Sequence, residues 1–248
     1  MLTQQRRDLI VEYINDRTAV TVQDLMDEFD ASAATIRRDL SVLHDEKKIL
    51  KVFGGATAID SSDISTKEPT VSAKAALNVE EKDRISKYAA SLIVDDDFVY
   101  IDSGTTTLEM IKYIENSRAK YITNGIVHAK RLLEKGFNTM IIGGRCKAST
   151  EAIIGPECIE GISKYHFTKA FMGTNGISLS AGYTTPDVDE AMVKGEAVAH
   201  AYLSYILADH SKFGQISSVT FADISSCCII TDKEAPKNYA SKTIIKVV

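Results

Sequence analysis

Apolar positions recur at helical spacing three times within the first 58 residues. Beyond that point, short apolar runs alternate with further helical stretches. In the first segment Leu9, Ile10, Tyr13 and Ile14 fall on one helical face, with Arg6, Arg7, Asp8 and Glu12 on the other. The second opens at Thr21-Val22-Gln23-Asp24, a capping-box pattern, and its apolar face is Val22, Leu25, Met26 and Phe29. The third follows Asp30-Ala31 with Ser32 as its N-cap, and Ile36, Leu40 and Leu43 mark the side to be buried. Two short helices across a tight turn, the second showing Thr35, Arg37, Arg38 and Ser41 to solvent, form a helix-turn-helix pattern. Such a unit buries one side of its second helix and leaves the other for a major groove. Lys47, Lys48, Ile49, Leu50, Lys51, Val52 and Phe53, ending in Gly54-Gly55, then read as a basic strand pair, a wing.

Residues 59–78 carry little periodicity and a Ser/Thr/Ala/Asp bias, the composition of a connector. This gives three parts: residues 1–58, a linker at 59–78, and a second domain at 79–248. In the last, helices are expected at 79–93, 106–115, 126–135 and 187–201. Strands are expected at 98–102, 121–123, 139–143, 170–173, 205–209 and 227–231. That alternation predicts a mainly parallel, Rossmann-like sheet covered by helices on both faces, with ligands at the C-terminal ends of its strands.

Hydrophobic residues make up 44% of the 248 and charged residues 25%, a globular balance that excludes disordered, collagenous and disulfide-scaffold classes. No apolar run approaches the roughly 20 residues of a membrane span, and the first residues turn charged too soon for a signal peptide. A cytoplasmic protein without membrane contact is expected. Cys146, Cys158, Cys227 and Cys228 lack metal-like spacing, as do His128, His166, His200 and His210, so reduced thiols and no metal or other cofactor are expected. Net charge is −5, and residues 1–58 hold eight Lys/Arg against ten Asp/Glu. Any attraction to nucleic acid must therefore come from the clustering of Arg37, Arg38, Lys47, Lys48 and Lys51. Arg can contact guanine bidentately and Ser or Thr can hold phosphate; a solvated helix face would carry the same arginines.

The run Asp102-Ser103-Gly104-Thr105-Thr106-Thr107 ends an apolar strand and opens a helix, where amides and hydroxyls converge on an anion or simply cap the helix. The Walker pattern is absent. Thr123-Asn124-Gly125, Gly143-Gly144-Arg145, Gly173-Thr174-Asn175-Gly176 and Asp209-His210-Ser211-Lys212 also follow apolar strands. Together these ends would suit a polyhydroxylated phosphate ester. Glu190 and Lys194 stand four apart on a helix, the spacing of a pocket pair or of an ordinary surface pair.

Ser32-x-x-Thr35-Ile36-Arg37-Arg38-Asp39-Leu40-x-x-Leu43 with Lys51-x-x-Gly54-Gly55-Ala56 resembles the winged helix-turn-helix signature of the DeoR family of bacterial repressors. It departs at Lys47, Lys51 and Phe53, where the family usually has Gly, Arg and His. Asp102 to Thr107, Thr123-Asn124, Gly143-Gly144, Gly173 and Leu207 to Phe213 resemble that family's sugar-phosphate-sensing domain, which is similar in fold to ribose-5-phosphate isomerase. Tyr165-x-Phe167-x-Lys169-Ala170-Phe171, Asn175-Gly176 and Thr184-Thr185-Pro186-Asp187 look most like fructose-operon repressors.

The resemblance implies a DNA-binding repressor of a sugar-utilisation operon, not an enzyme, released by a sugar phosphate, with fructose 1-phosphate the first choice. Double-stranded operator DNA would meet Ser32, Thr35, Arg37, Arg38, Ser41 and Lys51. The effector would meet Asp102, Ser103, Gly104, Thr105, Thr106, Thr107, Asn124, Gly125, Gly144, Arg145, Glu190, Lys194 and Lys212. A homodimer or homotetramer is expected, because paired recognition helices read half-sites. The rival is a sugar-phosphate isomerase using Asp102, Glu190 or Asp209 as general base and Lys212 to stabilise an enediolate.

Overall fold

The computed structural model describes residues 3–17 (apart from the side chain of Asp16), 19–46, 48–58, 65–66, 70–115 and 118–248. The chain divides into two compact units, Met1–Ser61 and Ser62–Val248.

The first unit runs α1 (Thr3–Arg17), β1 (Ala19–Thr21), α2 (Val22–Phe29), α3 (Ala33–Asp45), β2 (Ile49–Val52) and β3 (Gly55–Ala58). Both expected caps form. Thr21 Oγ1 accepts the Asp24 amide at 3.1 Å while Asp24 Oδ2 accepts the Thr21 amide at 2.8 Å. Ser32 Oγ accepts the Thr35 amide at 3.3 Å. Ile10, Ile14, Leu25, Ile36, Leu40 and Leu43 are completely buried in one cluster, which joins the three helices as their periodicity predicts.

Three details differ from the sequence reading. Leu9 is exposed. Arg6 and Arg7 do not face solvent: each pairs with the buried Asp39 of α3 at 2.8 Å. Positions 6 and 7 stand four and three residues before Ile10, so they lie over the face that Ile10 buries. The wing does not end in its glycines but turns on them. β2 and β3 pair antiparallel around Phe53-Gly54, with β1 on the other side of β3. Gly54 takes φ +81°, and a Cβ on Gly55 would lie 2.1 Å from the Val20 carbonyl. Lys47, read as part of the wing, lies outside the described residues.

The second unit contains α4 (Val71–Ala75), α5 (Val79–Ser91), β4 (Phe98–Ile101), α6 (Thr105–Met110), β5 (Lys120–Thr123), α7 (Ile126–Glu134) and β6 (Asn138–Ile141). It continues with β7 (Arg145–Lys147), β8 (Ala152–Ile154), α8 (Pro156–Ser163), β9 (Phe167–Gly173), β10 (Gly176–Ser178), β11 (Gly182–Thr185) and α9 (Val188–Ala199). β12 (Ala201–Leu207), β13 (Val219–Ala222), β14 (Cys228–Thr231) and β15 (Ile245–Val247) complete it. Seven strands form one sheet in the order β15-β14-β12-β9-β4-β5-β6, and every pairing in it is parallel.

Alternate residues of these strands enter two separate cores. Tyr100, Ile122, Ala170 and Ile206 join the core of α8 and α9, whereas Val99, Ile101, Phe171 and Leu207 join that of α5, α6 and α7. Helices therefore cover both faces, the expected doubly wound arrangement. The chain winds outward in opposite directions from β4 and β9, so the crevice between their C-terminal ends is the topological switch point.

The segment read as a connector, 59–78, is described only at 65–66 and 70–78. There it folds with the second unit: Thr70 caps α4, and Ser65 bridges to Ser217. One helical turn is too short to show periodicity. The helix expected at 106–115 is α-helical only to Met110 and tightens to a 3-10 turn at Ile111–Tyr113. The β7–β8 hairpin, the antiparallel sheet β10-β11-β13 and β15 were not legible, because strands of three or four residues leave too few alternations to register, and the eight-residue helix α8 was not read either.

Candidate functional site

β4 ends in Asp102 and turns through Ser103-Gly104 into α6. The Asp102 amide donates to the Phe171 carbonyl at 3.0 Å, and the Gly173 amide donates back to Asp102 Oδ2 at 2.9 Å, which locks the ends of β4 and β9 together. Thr107 Oγ1 donates to the carbonyls of Asp102 and Gly104. The N-cap, Gly104, supplies no side-chain cap, so the first amides of α6, which helix geometry leaves without partners, remain available to a ligand.

A cavity of about 120 Å³ opens beside this turn. Ser103, Gly104, Thr105 and Thr106 form one wall, Gly173, Thr174 and Asn175 another, with Glu190 and Lys194 from α9 and Asp209 and Lys212 beyond β12. Val71, Lys74, Leu77 and Lys82 close it from α4 and α5, and Thr150 from the β7–β8 hairpin.

The charges are largely committed. Lys194 Nζ donates to Asp102 Oδ2, and to the Gly173 carbonyl at 3.2 Å. Glu190 Oε1 accepts from Lys147 Nζ at 3.1 Å and Thr150 Oγ1 at 2.8 Å. Asp209 Oδ1 accepts from Asn78 Nδ2 at 2.9 Å and the Ser211 amide at 3.0 Å. Burial alone would raise the pKa of Asp209, but the Ser211 hydrogen bonds with Lys212 and Lys82 nearby hold it below the usual carboxylate value. Burial lowers that of Lys82, and the Asp209 charge only partly opposes this. Behind the turn, His128 Nε2 lies 2.9 Å from the Gly104 carbonyl. Burial pushes its pKa down to about 4, so the ring is neutral and donates from Nε2.

Of the thirteen effector residues read from the sequence, Ser103, Gly104, Thr105, Thr106, Glu190, Lys194 and Lys212 line this cavity. Asp102 and Thr107 lie buried directly behind it. The other four stand elsewhere. Asn124 Nδ2 donates to the Ile153 carbonyl, tying the end of β5 to β8. Gly125 bridges to Ala152 and packs on the His128 ring. Gly144 packs against Ile153 and Cys158. Arg145 is exposed and paired with Asp189. These strand ends belong to β5 and β6, displaced from the switch point toward the sheet edge, so their position after a strand was not enough to bring them in.

Lys82 and Thr150 were missed. A signal for Lys82 existed: it stands three residues before Ile85 on the buried face of α5, and a lysine on an apolar helix face requires a partner. Glu81, His210 and Asp232 bring ligand-capable atoms within 4.8 Å of one another although no spacing along the chain suggests it. His210 there is held by Asp232, through Nδ1 at 2.8 Å and its amide at 2.7 Å.

In the first unit Arg37 and Arg38 are exposed on α3, and among the described residues neither guanidinium has an ion-pair partner. Ser41 Oγ donates to the Arg37 carbonyl at 2.9 Å and accepts from Lys51 Nζ at 2.8 Å, which ties the wing to the helix. The Ser32 and Thr35 hydroxyls lie 3.0 Å apart within the cap. These hydroxyls hold the exposed face in shape and leave the two arginines as its unengaged charges.

A winged helix-turn-helix followed by a doubly wound domain with a polar cavity at its switch point is the layout of a ligand-responsive transcriptional regulator. The chain belongs to the DeoR family: residues 6–62 match the DeoR-like helix-turn-helix domain and residues 77–233 the DeoR C terminal sensor domain. It is 41% identical to the uncharacterized HTH-type transcriptional regulator FruR of Bacillus subtilis, over 100% of this chain and 99% of that protein. It is 30% identical to the lactose phosphotransferase system repressor of Staphylococcus aureus, over the whole of both. The ribose 5-phosphate isomerase of Methanocaldococcus jannaschii is similar with a TM-score of 0.41 and 14% identity over 55% of each chain, a level that decides nothing about function. Among the described residues no helix is long and apolar enough to cross a membrane.

Proposed function

We propose that this chain represses a sugar-utilisation operon in the cytoplasm, binding operator DNA as a homodimer or homotetramer and leaving it when a sugar phosphate fills the switch-point cavity. α3 supplies the reading surface through Arg37 and Arg38, with Lys51 on the wing. The observation that carries the reading of the effector is the cavity itself. Lys82, Lys194 and Lys212 surround one small space with Ser103, Thr105, Thr106 and Asn175, a mixture of cations and hydroxyl or amide groups suited to a phosphate on a polyhydroxylated body. The name lactose phosphotransferase system repressor, carried by one relative, supports a sugar-linked role. Fructose 1-phosphate remains the first candidate, on the resemblance to fructose-operon repressors.

The isomerase reading is not favoured by the geometry. A general base needs an available carboxylate, and Asp102, Glu190 and Asp209 are each held by cationic or hydroxyl partners. Gel shifts of the full chain on its own upstream DNA, with fructose 1-phosphate and other sugar phosphates added singly, test the proposal. Release by one phosphate ester and not by its unphosphorylated sugar is expected. Retention under every ester would overturn the effector reading, and absence of any shifted band would overturn the operator reading.

A further inference from the structure

Phe53 stands at the tip of the wing, and its side chain is fully exposed. Leu50 and Val52 beside it are also about half exposed. A folded unit gains nothing from an aromatic ring left in water, and the backbone that carries this ring is fixed. The turn is two residues long, Gly54 supplies its positive φ, and the Gly54 carbonyl accepts the Val22 amide at 2.9 Å at the start of α2. The tip is therefore fixed to the helix-turn-helix body.

The strand that leads to the tip faces α3. Ile49 and Lys51 lie on one side of β2. Ile49 enters the core and Lys51 reaches Ser41 on the exposed side of α3. Phe53 follows Lys51 by two residues, in the turn that links β2 to β3. An exposed ring at the tip of a wing that Lys51 ties to Ser41 of α3, the helix that exposes Arg37 and Arg38, fits a polyanion with apolar planes inside it. That is a duplex, whose phosphates meet the cations and whose stacked bases meet the ring.

We infer that Phe53 is a DNA wedge: it enters the groove beside the one occupied by α3 and stacks on, or partly opens, one base step in each half-site. Unstacking a step costs energy that depends on which bases are parted. The ring thus contributes preference for a flexible step that no hydrogen bond reads. The inference rests on the proposal that α3 meets operator DNA, and it can fail while that proposal stands.

The test uses the full chain and duplexes that it selects from a random-sequence library. The protein contains no tryptophan, so Phe53→Trp places a single reporter at the tip. Its emission should be quenched or shifted, and protected from acrylamide, on adding the selected duplex. Phe53→Ala should lose about tenfold to a hundredfold in affinity with an unchanged salt slope, because no phosphate contact is removed. 2-Aminopurine at one step per half-site should brighten with the original chain and stay dark with Phe53→Ala. Unchanged affinity and 2-aminopurine signal in Phe53→Ala, while Arg38→Ala still weakens binding, would overturn the wedge and leave the operator reading intact. Selection of no duplex would overturn both. Protection of the Phe53→Trp reporter that grows with protein concentration alone would assign the tip to self-association and overturn the wedge.

Discussion

Lys194 and Asp102 form an ion pair beneath the cavity, with side chains only 8% and 1% exposed. The pair joins α9 to the end of β4, and the same carboxylate oxygen takes the Gly173 amide of β9, so three elements meet on one atom at the switch point. An anion entering above meets an ammonium already neutralised from below. Lys212, which has no ion pair among the described residues, and Lys82, whose charge burial disfavours, are then the cations with most to gain from it. On the proposed reading, a phosphate in the cavity would be met chiefly by these two lysines.

Asp102→Ala should destabilise the chain by about 3–5 kcal/mol, because it leaves Lys194 charged and unpaired in a buried place. Lys194→Met in the same chain should restore part of that loss by removing the orphaned charge. Urea unfolding of the two single variants and the double variant measures the coupling. A loss in the double variant equal to the sum of the two single losses would mean that the pair carries no energy of its own.

Arg37→Ala and Arg38→Ala should each weaken operator binding without unfolding the first unit, since both side chains are exposed on α3. A lost bidentate base contact costs about 1–3 kcal/mol and relaxes the sequence preference at one position. A lost phosphate contact weakens all duplexes alike and lowers the salt slope by about one. Gel-shift titrations on matched and mismatched duplexes at several salt concentrations separate the two. Unchanged affinity in both variants would remove α3 as the reading helix.

Long amphipathic segments were the legible part of this protein. Ile36, Leu40 and Leu43 fixed the buried side of α3, and therefore its exposed side, because one helical period relates them. Most of the parallel sheet was equally plain, since β4, β5, β9, β12 and β14 are short runs whose apolar residues enter both cores. What spacing could not supply was the strand order. Asn124 and Arg145 follow apolar strands just as Asp102 and Gly173 do, but only β4 and β9 flank the switch point, and that depends on pairings between distant segments. Asp39 and Lys82 were obscured for a related reason: each is a charge on an apolar helix face, and its partner comes from another element.

Acid should destabilise the second unit in part through His128. Its pKa lies near 4 in the folded chain and near 6.5 when unfolded. Above pH 6.5 the ring is neutral in both states and its contribution is complete. Between pH 6.5 and about 4 only the unfolded chain takes up the proton, which removes about 3 kcal/mol by the lower limit. His128→Gln keeps a polar group without that titration. The unfolding free energy of the original chain minus that of His128→Gln should therefore fall by about 3 kcal/mol from above pH 6.5 to pH 4. A difference that is constant across the range would mean that the ring titrates normally in the fold.

Thr105→Asp and Thr106→Asp should each give a regulator that binds operator and cannot be released. Both threonines line the cavity at the first turn of α6, where amides without intrahelical partners face a ligand. A carboxylate there would occupy those amides, repel a dianionic phosphate, and engage Lys212 or Lys82 in its place. The fold should survive, because Asp is favourable at a helix start and Thr107, whose hydroxyl secures the turn to the carbonyls of Asp102 and Gly104, is untouched. The reading surface belongs to the other unit and keeps all its groups. Gel shifts with and without fructose 1-phosphate, and with other sugar phosphates, decide the matter: either variant released by the same ester at the same concentration as the unmodified chain would move the phosphate site away from this turn. If the threonines acted only in starting the helix, Asp would serve equally well and the response would be intact.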